Sequence, residues 1–160
     1  MRFRERGIRR ARDGGYAVRL EADERELLAS LPALLRAAID ADDPSTARLF
    51  PPAYDDDPDG EQEYRSLVRD GLRDAKLGAL EVFERTAGAD RLSTEDLEAW
   101  LGAIESLRLV LGTQLDVKED TYATALDPAN PDTPRLALYA WLSWLQEEVV
   151  TALTASLPDR

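Results

Sequence analysis

Between Gly15 and Asp23 the apolar period of this chain changes, and that change constrains its fold more than any other feature. Tyr16-Ala17-Val18-Arg19-Leu20 alternates apolar with other residues, the period of a half-buried strand. From Asp23 onward apolar residues recur three and four apart, beginning with Leu27, Leu28, Leu31, Leu34, Leu35 and Ala38, which is the spacing of an amphipathic helix. Asp13-Gly14-Gly15 precedes the strand and is a strong hairpin turn, because glycine takes positive φ at little cost. The expected start is therefore a small β-hairpin. A three-residue turn would set Ile8 opposite Leu20 and Arg12 opposite Tyr16, with a bulge at Gly7 bringing Phe3 to the same face.

Prolines and caps divide the helical pattern. Pro32 removes one backbone bond within the first helix and should kink it near Leu28. Asp43-Pro44 reads as a cap and first position of a short turn ending near Leu49. Asp59 would cap a second helix to about Arg85, with Tyr64, Leu67, Val68, Leu72, Ala75, Ala79, Leu80 and Phe83 inward. Ser93 caps the third, with Asp96 three residues on and a staple from Leu92 to Leu97; Leu101, Ile104, Leu107 and Leu111 continue its stripe. Thr133-Pro134 opens the last helix, which runs to about Ser156. The expected fold is mainly α, a bundle of about four main helices with a small N-terminal β-hairpin. It forms one domain over 1–160, with residues 1–20 a basic hairpin and 23–157 an acidic helical bundle. A chain of 160 residues buries roughly 70% of its unfolded surface and needs no staple.

Charge separates the two parts. Residues 1–19 carry seven arginines against Glu5 and Asp13, and the remainder carries 13 basic and 30 acidic groups. The candidate basic patch is Arg2, Arg4, Arg6, Arg9, Arg10 and Arg12. These arginines either pair with the chain's own acidic helices or form a ribbon for nucleic acid or an acidic partner. The acidic body repels phosphate, which makes nucleic acid the less favoured partner.

The chain has neither histidine nor cysteine. That excludes Ser-His-Asp and Cys-His catalysis, thiol switching and Cys/His zinc sites. None of the phosphate-loop, dinucleotide, nucleophile-elbow or metalloprotease motifs occurs. Asp55-Asp56-Asp57-Pro58-Asp59-Gly60 resembles the start of a calcium loop, but Ser66 stands where the bidentate Glu belongs. The expectation is a non-enzymatic protein with no catalytic residue, cofactor or metal site. The longest apolar run, Leu136 to Leu142, is far too short for a membrane span, and no signal peptide precedes the strand, so a cytoplasmic location is expected.

On the last helix Leu138, Leu142, Leu145, Val149 and Leu153 form one stripe. Trp141 lies at its flank and Trp144 about 160° from Leu142, on the side that should face water. Trp141 and Trp144 are therefore the candidate partner or oligomer surface, with a symmetric homodimer as its simplest use unless the hairpin covers Trp144.

The run Arg48-Leu49-Phe50-Pro51-Pro52-Ala53-Tyr54, followed by Asp57 and Glu63-Tyr64-Arg65, resembles the signature of an actinobacterial family. Leu109-Val110-Leu111-Gly112-Thr113, Tyr139-Ala140-Trp141-Leu142 and Leu145-Gln146-Glu147 fit its later segments. It is the domain-of-unknown-function family two thousand and seventeen, some of whose members are described as actinomycete oxidative stress regulators. The resemblance implies a regulatory protein-interaction domain linked to transcriptional or stress regulation, with an unidentified protein partner. A thiol redox switch cannot operate in a chain without cysteine. Leu49, Phe50, Pro51 and Tyr54 are its structural signature, and Phe50 and Tyr54 are expected to pack together into the bundle. The alternative function is nucleic-acid binding through the arginine-rich hairpin.

Overall fold

In the computed structural model, which describes residues 6–50, 63, 68–115 and 133–155, a three-stranded antiparallel sheet leans on a bundle of helices. The strands are β1 (Gly7–Arg10), β2 (Tyr16–Arg19) and β3 (Arg91–Leu92), with β2 in the middle. The helices are α1 (Ala22–Asp40), a 3-10 turn (Pro44–Leu49), α2 (Asp70–Thr86), α3 (Thr94–Leu115) and α4 (Thr133–Ala155). The mainly α architecture with an N-terminal hairpin is as the periodicity predicts.

The register differs from the expected one. Arg10, not Arg12, pairs with Tyr16, and Ile8 pairs with Val18 rather than Leu20. The turn is longer than three residues because Ala11 closes it, donating its N–H to the Gly15 carbonyl at 2.7 Å. Ile8, Val18 and Tyr16 then share the buried face, and Gly7 sits at φ +134° at its edge. The third strand is a further difference. Leu92, expected only as a staple, pairs with Tyr16 and is buried. Two residues are too few to show an alternating pattern, so the strand exists because β2 offers it an open edge.

α3 is the central helix, packed between α2 and α4. Its buried Trp100 meets Phe83 of α2 edge-on, with ring centroids 5.1 Å apart, and donates its indole N–H to the Thr86 hydroxyl at 2.7 Å. That bond satisfies the one polar atom of the largest core side chain. The predicted cap of α3 is present in reciprocal form: the Asp96 N–H donates to Ser93 Oγ at 3.1 Å, and the Ser93 N–H to Asp96 Oδ2 at 3.4 Å. Asp43 caps the 3-10 turn by accepting from the Ser45 N–H at 2.9 Å and hydroxyl at 2.6 Å, which holds its carboxyl below the usual range. α1 continues through Pro32, whose ring is buried among Leu28, Leu31, Leu35 and Ile39.

Three residues placed inward by period are outward in the structure. Leu34 is 65% exposed and Leu72 38%, and Ala75 is also exposed. At this end α1 and α2 meet through charges instead, Arg73 to Asp40 at 2.7 Å, and burial on α2 is confined to Leu80 and Phe83. A helical stripe is broader than the contact that covers it, so its flanking members stay wet. Of the signature residues, Leu49 is buried, and Phe50 packs against the core with the Arg69 guanidinium 5.1 Å from its ring. Pro51 and Tyr54, like the acidic run from Asp55 to Gly60, lie outside the described residues.

Tyr16 is fully buried and its hydroxyl has no hydrogen-bond partner among the described residues. A buried hydroxyl left unpaired carries its desolvation cost without return. Tyr16→Phe is expected to leave stability unchanged or raise it by up to about 1 kcal/mol, measured by urea unfolding; a loss would show that the hydroxyl holds a structural water.

Candidate functional site: the hairpin seam

Of the candidate residues, Arg6, Arg9, Arg10, Trp141 and Trp144 come together at one seam, where β1 lies over α4 and the N-terminus of α1. Arg6, just before β1, makes a two-pronged pair with Glu24 of α1. Its Nε donates to Oε1 at 2.7 Å and its Nη2 to Oε2 at 2.6 Å. Such forks are stronger and more directional than single contacts. The same guanidinium stacks on Trp144, with 3.9 Å between its carbon and the ring centroid. Trp141 donates its indole N–H to Glu24 Oε2 at 2.7 Å. One carboxylate thus joins the hairpin, α1 and α4.

Glu24 also belongs to the start of its own helix. It accepts from the Glu21 N–H at 3.1 Å, one half of a capping box. Its side chain is only 11% exposed. The Arg6 fork, with the Glu21 N–H and the Trp141 indole, outweighs the burial penalty and holds its carboxyl down to about 2. Arg6 is correspondingly pushed up by Glu24.

The next arginine repeats the arrangement on α4. Glu148 accepts from Arg9 Nη1 at 2.8 Å and from the Ile8 N–H at 3.2 Å, so an acidic side chain of the helix completes the hydrogen bonding of the strand edge. Gly7 makes room for it, since a Cβ there would stand 2.2 Å from Glu148 Oε2. Arg10 donates to the Ala155 carbonyl at 3.4 Å, at the negative end of α4. On the other side of the sheet Arg25 of α1 donates to the carbonyls of Val18 at 3.1 Å and Ala89 at 3.0 Å and to Asp90 Oδ1 at 3.0 Å, tying β2 to the loop before β3.

Trp144 is therefore half-buried under Arg6, the arrangement in which the hairpin covers it. The helical wheel of α4 has two covered sides because β1 packs where solvent was expected. The hairpin thereby covers part of the apolar surface on which the homodimer expectation rests. Trp141 is half-buried beside Leu27 at the mouth of a shallow cleft. Of the basic patch, Arg6, Arg9 and Arg10 face their own chain, Arg12 is exposed, and Arg2 and Arg4 lie outside the described residues. Sequence reasoning missed Glu24 and Glu148. They stand among 32 acidic residues, and nothing local distinguishes them. Among the described residues no group of His, Cys, Asp or Glu could hold a metal ion, and no helix is long and apolar enough to cross a membrane.

A family model described as a domain of unknown function, DUF2017, matches residues 5–153. The chain is 30% identical over 131 residues to a protein named oxidative stress regulator AosR from Mycobacterium tuberculosis, with the match spanning 71% of this chain and 60% of the relative. The Mycobacterium bovis protein of that name matches equally. A putative oxidative stress regulator AosR from Mycobacterium leprae is 31% identical over 133 residues, spanning 72% of this chain and 60% of its own. The chain thus spans about 60% of the length of these relatives. No solved structure matches.

Proposed function

The chain belongs to the DUF2017 family, and from that premise we propose that it is a cytoplasmic, non-enzymatic regulatory domain that works by binding another protein, in transcriptional or stress control. The observation that carries the reading is its likeness to relatives named oxidative stress regulators. Any regulation by this chain proceeds without its own thiols, because it has none. The seam supports the protein-binding form of the proposal over the nucleic-acid form. Arg6 and Arg9 remain about half exposed but are each paired with a carboxylate, Glu24 and Glu148, so their charge is already matched on an acidic body before any phosphate meets it.

Fluorescence anisotropy with labelled duplex DNA across a salt series separates the two forms. The expected result is no binding at moderate salt. Binding that weakens steeply and log-linearly with salt, and that is lost in an Arg9→Ala/Arg12→Ala variant, would replace the proposal with the nucleic-acid reading. Affinity capture from extract of the native host then tests the partner: the same protein should return in the reciprocal capture and bind the purified chain. Failure of reciprocal capture and of purified binding would end the protein-binding reading.

A further inference from the structure

A second cluster, away from the seam, holds a cation that makes no ion pair with a described residue. Arg108 of α3 is half-buried against α4. Its Nε donates to Ser143 Oγ at 3.0 Å, its Nη1 to Gln146 Oε1, and its Nη2 to the Tyr139 hydroxyl at 3.4 Å, with the guanidinium 5.2 Å from the Tyr139 ring. Every one of these acceptors is neutral, and no carboxylate among the described residues lies within ion-pair distance. Three arginines at the seam, Arg6, Arg9 and Arg25, each have a carboxylate, while Arg10 reaches the Ala155 carbonyl. A guanidinium has five N–H donors, and the three bonds leave one on each terminal nitrogen of Arg108.

That fork opens on a small pocket of about 210 Å³, which Arg48, Glu105, Gly112, Tyr139 and Gln146 also line. Arg48, at the end of the 3-10 turn, is exposed and makes no hydrogen bond or ion pair with a described residue. Gly112 lets the Tyr139 ring form the wall, since a Cβ there would stand 3.2 Å from it. Two arginines and Glu105 give the pocket a net charge of +1 on a chain whose net charge is −12. One carboxylate restores neutrality, matches the planar fork and fits the volume, whereas a phosphate dianion overshoots the charge.

We propose that this pocket binds a carboxylate, held end-on by Arg108 with Arg48 closing from the 3-10 turn. The proposal is independent of the partner-binding reading above. The neutral anchors Ser143, Gln146 and Tyr139 fix the guanidinium without discharging it, which is what a preorganised anion receptor requires.

The test is an acetate titration of the isotope-labelled full chain, followed by nuclear magnetic resonance at ionic strength held constant with chloride. Saturable shifts of the Arg108 side-chain N–H and the Gly112 amide are expected. Arg48→Ala, which removes no hydrogen bond or ion pair with a described residue, should weaken the affinity about tenfold or more, and Arg108→Lys, which keeps the charge but not the fork, should do the same. Shifts that never saturate, an Arg48→Ala variant that binds as well as the parent, or a preference for inorganic phosphate over acetate would overturn the assignment. A peptide with a central glutamate separates the two sources of the carboxylate. Tighter binding than acetate identifies an acidic side chain of a protein, and equal binding identifies a free small acid; either supports the pocket.

Discussion

Replacing Glu24 with glutamine is expected to lower the unfolding free energy at neutral pH by about 2–3 kcal/mol, and the deficit should vanish as the solution is acidified. Glutamine keeps an acceptor for the Trp141 indole but loses the charge that Arg6 grips from two nitrogens. The folded carboxyl sits at about 2 against an ordinary value of 4.5. A carboxyl depressed in the folded state contributes its full stabilisation above pH 4.5 and loses it as the pH falls toward 2, because the folded chain must then take up the proton that the unfolded chain already holds. The figure stays below the full conversion of that shift because Arg6 is 45% exposed and solvent screens part of the pair. Asp13 is also lowered, by the Gly15 N–H and then by Arg91, but it is common to both proteins and drops out of the difference. Urea unfolding of both proteins from pH 7 to pH 2.5 checks this. A gap that stays constant with pH would mean that Glu24 acts by packing or capping and not through its charge.

The second large effect is expected at Gly7. Gly7→Ala should cost about 2–4 kcal/mol, since φ of +134° is a conformation that only glycine adopts readily. The added carbon also meets the Glu148 carboxylate, which must then release the Ile8 N–H and Arg9. A double-mutant cycle with Glu148→Ala separates the two causes. The steric part disappears in the double variant and the backbone part remains, so the two substitutions together should cost less than their sum. If Gly7→Ala costs under about 1 kcal/mol, the strand edge is not held as described. Both substitutions loosen the same strap, so each should also raise the solvent exposure of Trp144, read by its fluorescence.

What could be read before the structure was whatever a single segment specifies by itself. The change of period at Gly15–Asp23 marks where strand gives way to helix, because alternation and the three-four spacing are properties of consecutive residues. The Ser93–Asp96 cap and the Asp43-Pro44 start are equally local, each closed within four residues. The Leu49-Phe50 signature and its family could likewise be recognised from order alone. The tertiary structure decided the rest. Arg10 rather than Arg12 faces Tyr16 because the turn closes through Ala11 and Gly15. β3 exists because Leu92 finds the open edge of β2. Trp144 is covered because β1 falls across α4, and Leu34 is bare because no described element falls across that side of α1. Above all, the pairing of charges is not a local property. Glu24 and Glu148 are chemically the same as the other glutamates, and only the distances the fold creates assign them to Arg6 and Arg9 while leaving Arg108 with neutral neighbours. Periodicity is written in the chain because the backbone repeats; partnership between distant like residues is not, because it depends on which surfaces meet.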